Sequence, residues 1–232
     1  PGGFLGDAYD WRAGVGPRRE RKAIVAQPSS GEKGKPLFGT DELAQFAGAT
    51  GSGLMLQVNL GTGNPSLAAD WVRHMKERHG GGPQVGWWEL GNELYHKGDA
   101  SGVSLPPEAY ADKFLATARA MRAVAPGLRL GAIAMENYPT FPFNSYPGWN
   151  EKVLRRAGGE IDFLAVHNAY FPVGPDDGAD PKGVYRALLA SPRLVEENLR
   201  TVAGQIDRHA PPGRAGRIDI AVTEWAPLFH VN

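Results

Sequence analysis

The sequence predicts an α/β fold of the (β/α)8-barrel type, present here as an incomplete barrel. Three observations predict it. Short, almost continuously apolar runs recur along the chain, amphipathic helical patterns lie between them, and polar or acidic residues stand at the ends of several different runs. Unbroken apolar runs suit strands covered on both faces, and their alternation with helices makes βα units and a parallel sheet.

The runs are 54–59 (LMLQVN), 85–90 (VGWWEL), 129–134 (RLGAIA), 162–167 (DFLAVH) and 218–223 (IDIAVT). After the first run, Asn64 and Pro65 form a helix start, with Asn as the cap and Pro at the first helical position. Leu67, Trp71 and Met75 then mark one helical face, and Gly80 to Gly82 end it. Tyr110, Phe114, Ala118 and Met121 mark the next helix, stopped by Pro126-Gly127. A third pattern, from Ser191, carries Leu199, Val202 and Ile206. The stretches 26–38 and 136–150 read as loops beside strand ends. With no linker or charge run, residues 1–232 read as a single domain.

A doubly wound nucleotide-binding sheet would carry GxGxxG after its first strand, and GTGNPS at 61–66 holds only the first half. Candidate functional residues instead follow several strands. Asn59 closes the first run, Asn92 and Glu93 follow the second, His167 ends the fourth and Glu224 follows the fifth, which is the habit of a barrel whose site lies at the strands' C-terminal mouth.

Composition narrows the function. Lys plus Arg equals Asp plus Glu, 25 against 25, so there is no electrostatic footprint for nucleic acid or an anionic membrane. No apolar run approaches the roughly 20 residues of a membrane span. Cysteine is absent, which excludes disulfides and thiolate metal sites and leaves the compartment open. The histidines show no HExxH or comparable ligand spacing, so neither a metal nor another cofactor is implied.

The segment GWWELGNELY at 86–95 runs a buried-looking strand into Gly-Asn-Glu, where an unpaired carboxylate is costly to bury. A solvated loop residue is the bland reading of Glu93 alone. Glu224 emerges from an equally apolar strand in AVTEW, and in a closed barrel the two glutamates face each other across the mouth. Opposed carboxylates suit glycoside hydrolysis: one donates a proton to the leaving oxygen, and the other attacks or stabilises an oxocarbenium-like centre. Their proximity separates the two pKa values.

WELGNELY resembles the acid/base motif of the clan A glycosidases, and AVTEW resembles their nucleophile strand. With PGGFLGDAYDWRAGVGPR (1–18), PLFGTDEL (36–43) and LQVNLGTGNPSLAADWV (56–72), the ordered blocks resemble glycoside hydrolase family 51, mostly α-L-arabinofuranosidases. The resemblance implies a retaining enzyme acting on arabinofuranosides of plant cell-wall carbohydrates. Glu93 is then the acid/base, Glu224 the nucleophile, and Asn92 the ligand of the sugar 2-hydroxyl. Asn59, His167, Tyr170, Trp88 and Trp225 are further candidate sugar contacts, with loop bracing or core packing as their alternatives. Glu89, on the opposite face from Leu90, reads as a structural partner.

Two departures leave the sugar open. Phe4 follows PGG where the family carries a small polar residue or Cys, and Tyr170 stands three residues after His167 instead of two. A β-xylosidase, an endoglucanase or an inactive barrel fragment are the other readings. The strand spacing implies about 330 residues for eight units, against 232 here. By the resemblance, the chain holds about strands three to seven plus the loop after strand two. The expectation is an open, five-stranded sheet with apolar edges at 54–59 and 218–223, prone to association and weakly active alone. Oligomerisation of a full-length protein and its compartment stay open.

Overall fold

The computed structural model describes residues 2–27, 31–80, 85–97, 103–135, 146–170 and 180–227. Three short 3-10 turns, Phe4–Asp7, Trp11–Gly14 and Arg18–Glu20, lead into β1 (Ile24–Gln27) and β2 (Glu32–Gly34), a small antiparallel pair. Helix α1 (Thr40–Thr50) follows, its start fixed by the Glu42 carboxylate accepting the Gly39 N–H at 2.9 Å. The repeating part then runs β3 (Leu54–Val58), α2 (Pro65–His79), β4 (Val85–Leu90), α3 (Pro107–Val124), β5 (Arg129–Ala134), α4 (Trp149–Ala157), β6 (Phe163–Tyr170), α5 (Pro181–His209) and β7 (Asp219–Pro227).

The five strands β3 to β7 pair in sequence order and all in parallel. A doubly wound sheet reverses its strand order at a switch point. This one never reverses, so it is an arc of a barrel wall, a half-barrel. Its open edges are β3 and β7, where Met55 and Val222 are each about two-fifths exposed. No helix among the described residues is long and apolar enough to cross a membrane.

The parity of the strands divides the side chains. Leu56, Val58, Trp88, Leu90, Leu130, Ala132, Leu164 and Val166 are buried in one core with Trp71, Met75, Tyr110, Phe114, Met121, Leu154, Val202 and Ile206 of the helices. Tyr110 locks the junction of β4 and β5: its hydroxyl donates to the Leu90 carbonyl (2.8 Å) and accepts the Ile133 N–H (2.9 Å). The opposite, concave face carries Gln57, Trp87, Glu89, Gly131, Phe163 and His167. Near the strands' N-terminal ends it is plugged by Phe163 against Trp87 (5.2 Å between ring centroids), with Arg129 over the indole and paired to Asp219. Gly131 makes this possible, because a Cβ there would lie 2.1 Å from the Phe163 ring. Gly131→Ala is therefore expected to cost about 1–3 kcal/mol by forcing that ring aside, read as a lowered urea midpoint at unchanged slope.

Several sequence expectations need adjustment. The 26–38 stretch holds the end of β1 and all of β2, and α1 and α4 have no counterpart in the sequence reading; of 136–150, residues 136–145 lie outside the described residues. Helix α5 starts ten residues before Ser191, at Pro181, capped by Asp180. Pro192 is internal to it. The Leu188 carbonyl, denied a Pro192 N–H, accepts the Ser191 hydroxyl instead (2.7 Å). Strands β6 and β7 also run past His167 and Glu224, so those residues sit within strands.

Candidate active site

At the C-terminal side of the half-barrel, β4 leaves the sheet through Gly91. Its φ of 93° is a left-handed conformation that glycine adopts freely, and its N–H bonds the Val58 carbonyl (3.0 Å). The next residue is anchored by Asp7, a fully buried carboxylate that accepts the Asn92 N–H at 2.7 Å and the Leu60 and Gly61 N–H groups at 3.2 and 3.3 Å. Asp7 thus fixes two strand-end loops together. Asp7→Ala leaves buried donors without their charged acceptor and is expected to cost about 1–3 kcal/mol or more in chemical denaturation.

Glu93 then points to His167. The His167 Nδ1 donates to Glu93 Oε1 at 2.9 Å, and its Nε2 lies 3.4 Å from Glu89 Oε1. On β7 the register slips: Val166 pairs with Val222, but His167 pairs with Glu224. The extra residue is Thr223, and such a bulge re-aims side chains that alternation would send to opposite faces. Thr223 Oγ1 donates to Glu89 Oε1 (3.1 Å), while Glu224 Oε2 lies 3.9 Å from His167 Nδ1. Both consecutive residues therefore serve the concave face. One oxygen from each of Glu93 and Glu224 and a His167 nitrogen lie within 4.8 Å of one another. The Asn92 amide completes the set: oriented by its partners, its oxygen accepts the Glu93 N–H (2.9 Å) and its nitrogen donates to Glu224 Oε1 (3.2 Å). A cleft of about 620 Å³ opens beside it, lined by Gln57, Glu89, Thr223 and Glu224 among others.

Electrostatics follow from this packing. Burial pulls the His167 pKa down, but the hydrogen bonds to Glu89 and Glu93 and the charges of Glu224 and Glu89 outweigh it, raising it to about 10. The ring is a cation at neutral pH with both N–H groups directed at carboxylates, so it offers no lone pair to a metal. Burial raises the Glu224 carboxyl above its ordinary range, the Glu93 and Glu89 charges add to that, and His167 opposes it.

The structure therefore brings Glu93, Glu224, Asn92 and His167 together. Trp88 is a correction. Strand parity puts it on the helix side with Leu90, 1% exposed and edge-on to Trp71, so it is a core residue and no wall of the cleft. Asn59 also lies apart: its amide is occupied by the Tyr9 carbonyl (3.1 Å) and by the Thr62 and Gly63 N–H groups (3.0 and 2.9 Å), which is a loop brace. Trp225 is 72% exposed beside Glu224. Tyr170 pairs with Pro227 at the end of β6, and its side chain lies outside the described residues.

No family model matches the sequence. The intracellular exo-α-(1→5)-L-arabinofuranosidase of Bifidobacterium longum is 27% identical over 253 residues, covering 99% of this chain and 42% of that protein. The α-L-arabinofuranosidase from Thermotoga maritima, solved as an arabinose complex, matches with a TM-score of 0.80 at 26% identity, over 100% of this chain and 46% of that one. The GH51 α-L-arabinofuranosidase from Thermotoga petrophila RKU-1 gives a TM-score of 0.80 at 25% identity over the same shares. The solved structures it resembles at this level include named family-51 α-L-arabinofuranosidases.

The chain spans less than half the length of the relatives it matches. Sequence reasoning missed Asp7, which accepts backbone N–H groups of Leu60, Gly61 and Asn92 that no side-chain pattern announces. It also missed Thr223, and it placed Glu89 as a structural partner without joining it to the His167 cluster. Strand parity was the available signal for Glu89, since that residue shares the face of Trp87.

Proposed function

We propose that this chain forms, as one domain, the catalytic part of a retaining exo-acting α-L-arabinofuranosidase, with Glu224 as nucleophile and Glu93 as acid/base. The observation that carries the reading is the convergence of Glu93 and Glu224 oxygens to within 4.8 Å around His167. Retaining pairs stand about 5–5.5 Å apart, whereas inverting pairs leave about 6.5–9.5 Å for a water. In the first step the Glu224 carboxylate attacks the anomeric carbon while Glu93 gives its proton to the departing glycosidic oxygen. In the second, Glu93 takes a proton from water, the water oxygen attacks the same carbon, and the ester to Glu224 breaks.

Negative charge moves between the two carboxylates during this cycle. Esterification removes the charge of Glu224 as Glu93 gains one. His167 stands 2.9 Å from Glu93 and 3.9 Å from Glu224, so one fixed cation serves both states. Asn92, whose amide nitrogen donates to Glu224, would turn that amide to the sugar 2-hydroxyl when substrate binds. The test is a panel of 4-nitrophenyl glycosides on the intact protein, followed by trapping with a slowly turned-over activated arabinofuranoside. The expected results are preference for α-L-arabinofuranoside and one pentosyl group on the peptide holding Glu224. A label on Glu93, or an inverted product, overturns the assignment.

A further inference from the structure

A second cluster of donors lies among residues that the glycosidase reading does not use. Asp41 stands in the first turn of α1, and His74 and His79 stand in the second half of α2. Both imidazoles present Nε2 to the same carboxylate oxygen, Asp41 Oδ1, at 2.7 Å from His74 and 2.9 Å from His79. The three donor atoms lie within 4.8 Å of one another. The histidines stand five positions apart, so their rings approach from two sides, with centroids 6.0 Å apart and planes at 60°. The three side chains are 13–17% exposed, which describes a recess with one side open to solvent. The Trp11 indole packs 5.0 Å from His74 and forms an apolar wall.

We propose that Asp41, His74 and His79 form a binding site for a divalent zinc-type ion, with a water in the fourth position. Two imidazole nitrogens and one carboxylate oxygen are donors that Zn²⁺ takes, at about 2.0–2.2 Å each. A tetrahedral ion at those lengths holds its donors about 3.3 Å apart. The two Asp41–His separations thus open by about half an ångström, within reach of small side-chain rotations. Ligation through Nε2 uses the Nδ1–H tautomer of each neutral ring, so the two protons that now bridge to Asp41 are exchanged through solvent onto Nδ1, with no net change in ring charge. Among the described residues, the other His-carboxylate cluster is built around a cationic ring, which makes this one the better ligand set. The site clips α1 to α2 and takes no part in glycoside cleavage.

The experiment uses tag-free, chelator-treated protein titrated with Co²⁺ and then Zn²⁺. One equivalent of Co²⁺ is expected to give the visible absorption of tetrahedral cobalt and to be displaced by Zn²⁺. Free Zn²⁺ at about one hundred times its Kd should raise Tm by about 5–10 °C. Asp41→Asn keeps an acceptor for the histidines and should abolish both signals while the protein stays folded. The His74→Gln/His79→Gln double variant should do the same. No cobalt absorption in the parent protein, or absorption that survives in Asp41→Asn and in the double variant, overturns the proposal and leaves a hydrogen-bonded tie between two helices.

Discussion

Glu224→Ala is expected to remove all measurable covalent intermediate and to lower turnover on the order of 10⁴-fold or more in the intact protein. Glu93→Ala should behave differently. Proton donation contributes about 10²–10⁴-fold for a poor leaving group and little for nitrophenolate. The variant should therefore keep much of its first step on activated arabinofuranosides and lose it on natural linkages. Deglycosylation, lacking its base, becomes slow, so azide should rescue turnover and yield a glycosyl azide of retained configuration. The bulge at Thr223 sharpens the expectation, because only that slip brings Glu224 to the face where His167 pairs with Glu93. Equal losses on activated and unactivated substrates in Glu93→Ala would void the division of roles.

His167→Gln should give the largest stability loss. The ring is 3% exposed and stands among Glu89, Glu93 and Glu224, so its removal leaves carboxylates half-buried without their cation. Breaking a buried ion pair from one side costs about 3–5 kcal/mol, here reduced because Glu224 is half exposed and partly solvated. The pH dependence carries a sign. The folded pKa of about 10 lies above the ordinary 6.5, so the ring's stabilisation is complete below about pH 6.5 and is lost as pH rises through about 10. Denaturation midpoints of the parent protein should fall across that window, and those of His167→Gln should not. A parallel decline in both proteins would show that His167 is not the group responsible.

Much of this was legible in the residues. The apolar runs at 85–90 and 129–134 coincide with β4 and β5, because strands covered on both faces leave an uninterrupted apolar signal. Asn64-Pro65 marked the start of α2, and the Asn64 side chain does accept the Leu67 N–H at 2.9 Å. Helix α5 was less legible: Pro192 reads as a start, yet the Ser191 hydroxyl satisfies the carbonyl that proline strands, so the helix runs through. Trp88 takes the core-packing alternative to a sugar contact: adjacent Trp87 and Trp88 look alike in sequence, and only strand parity separates them.

By itself the sequence determined the βα order, the parallel sheet, the two carboxylates on separate βα units and the family they resemble, since periodicity and short motifs are local properties of a chain. The tertiary structure decided which atoms meet. Three backbone N–H groups from two loops converge on Asp7, a bulge turns Glu224 to the concave face, and one buried cation gathers three glutamates. Two histidines and an aspartate from separate helices likewise close on one oxygen. These contacts join residues 33 to 85 positions apart, and the physical reason they escaped the sequence is that register and side-chain direction are fixed only when the strands pair and the helices pack.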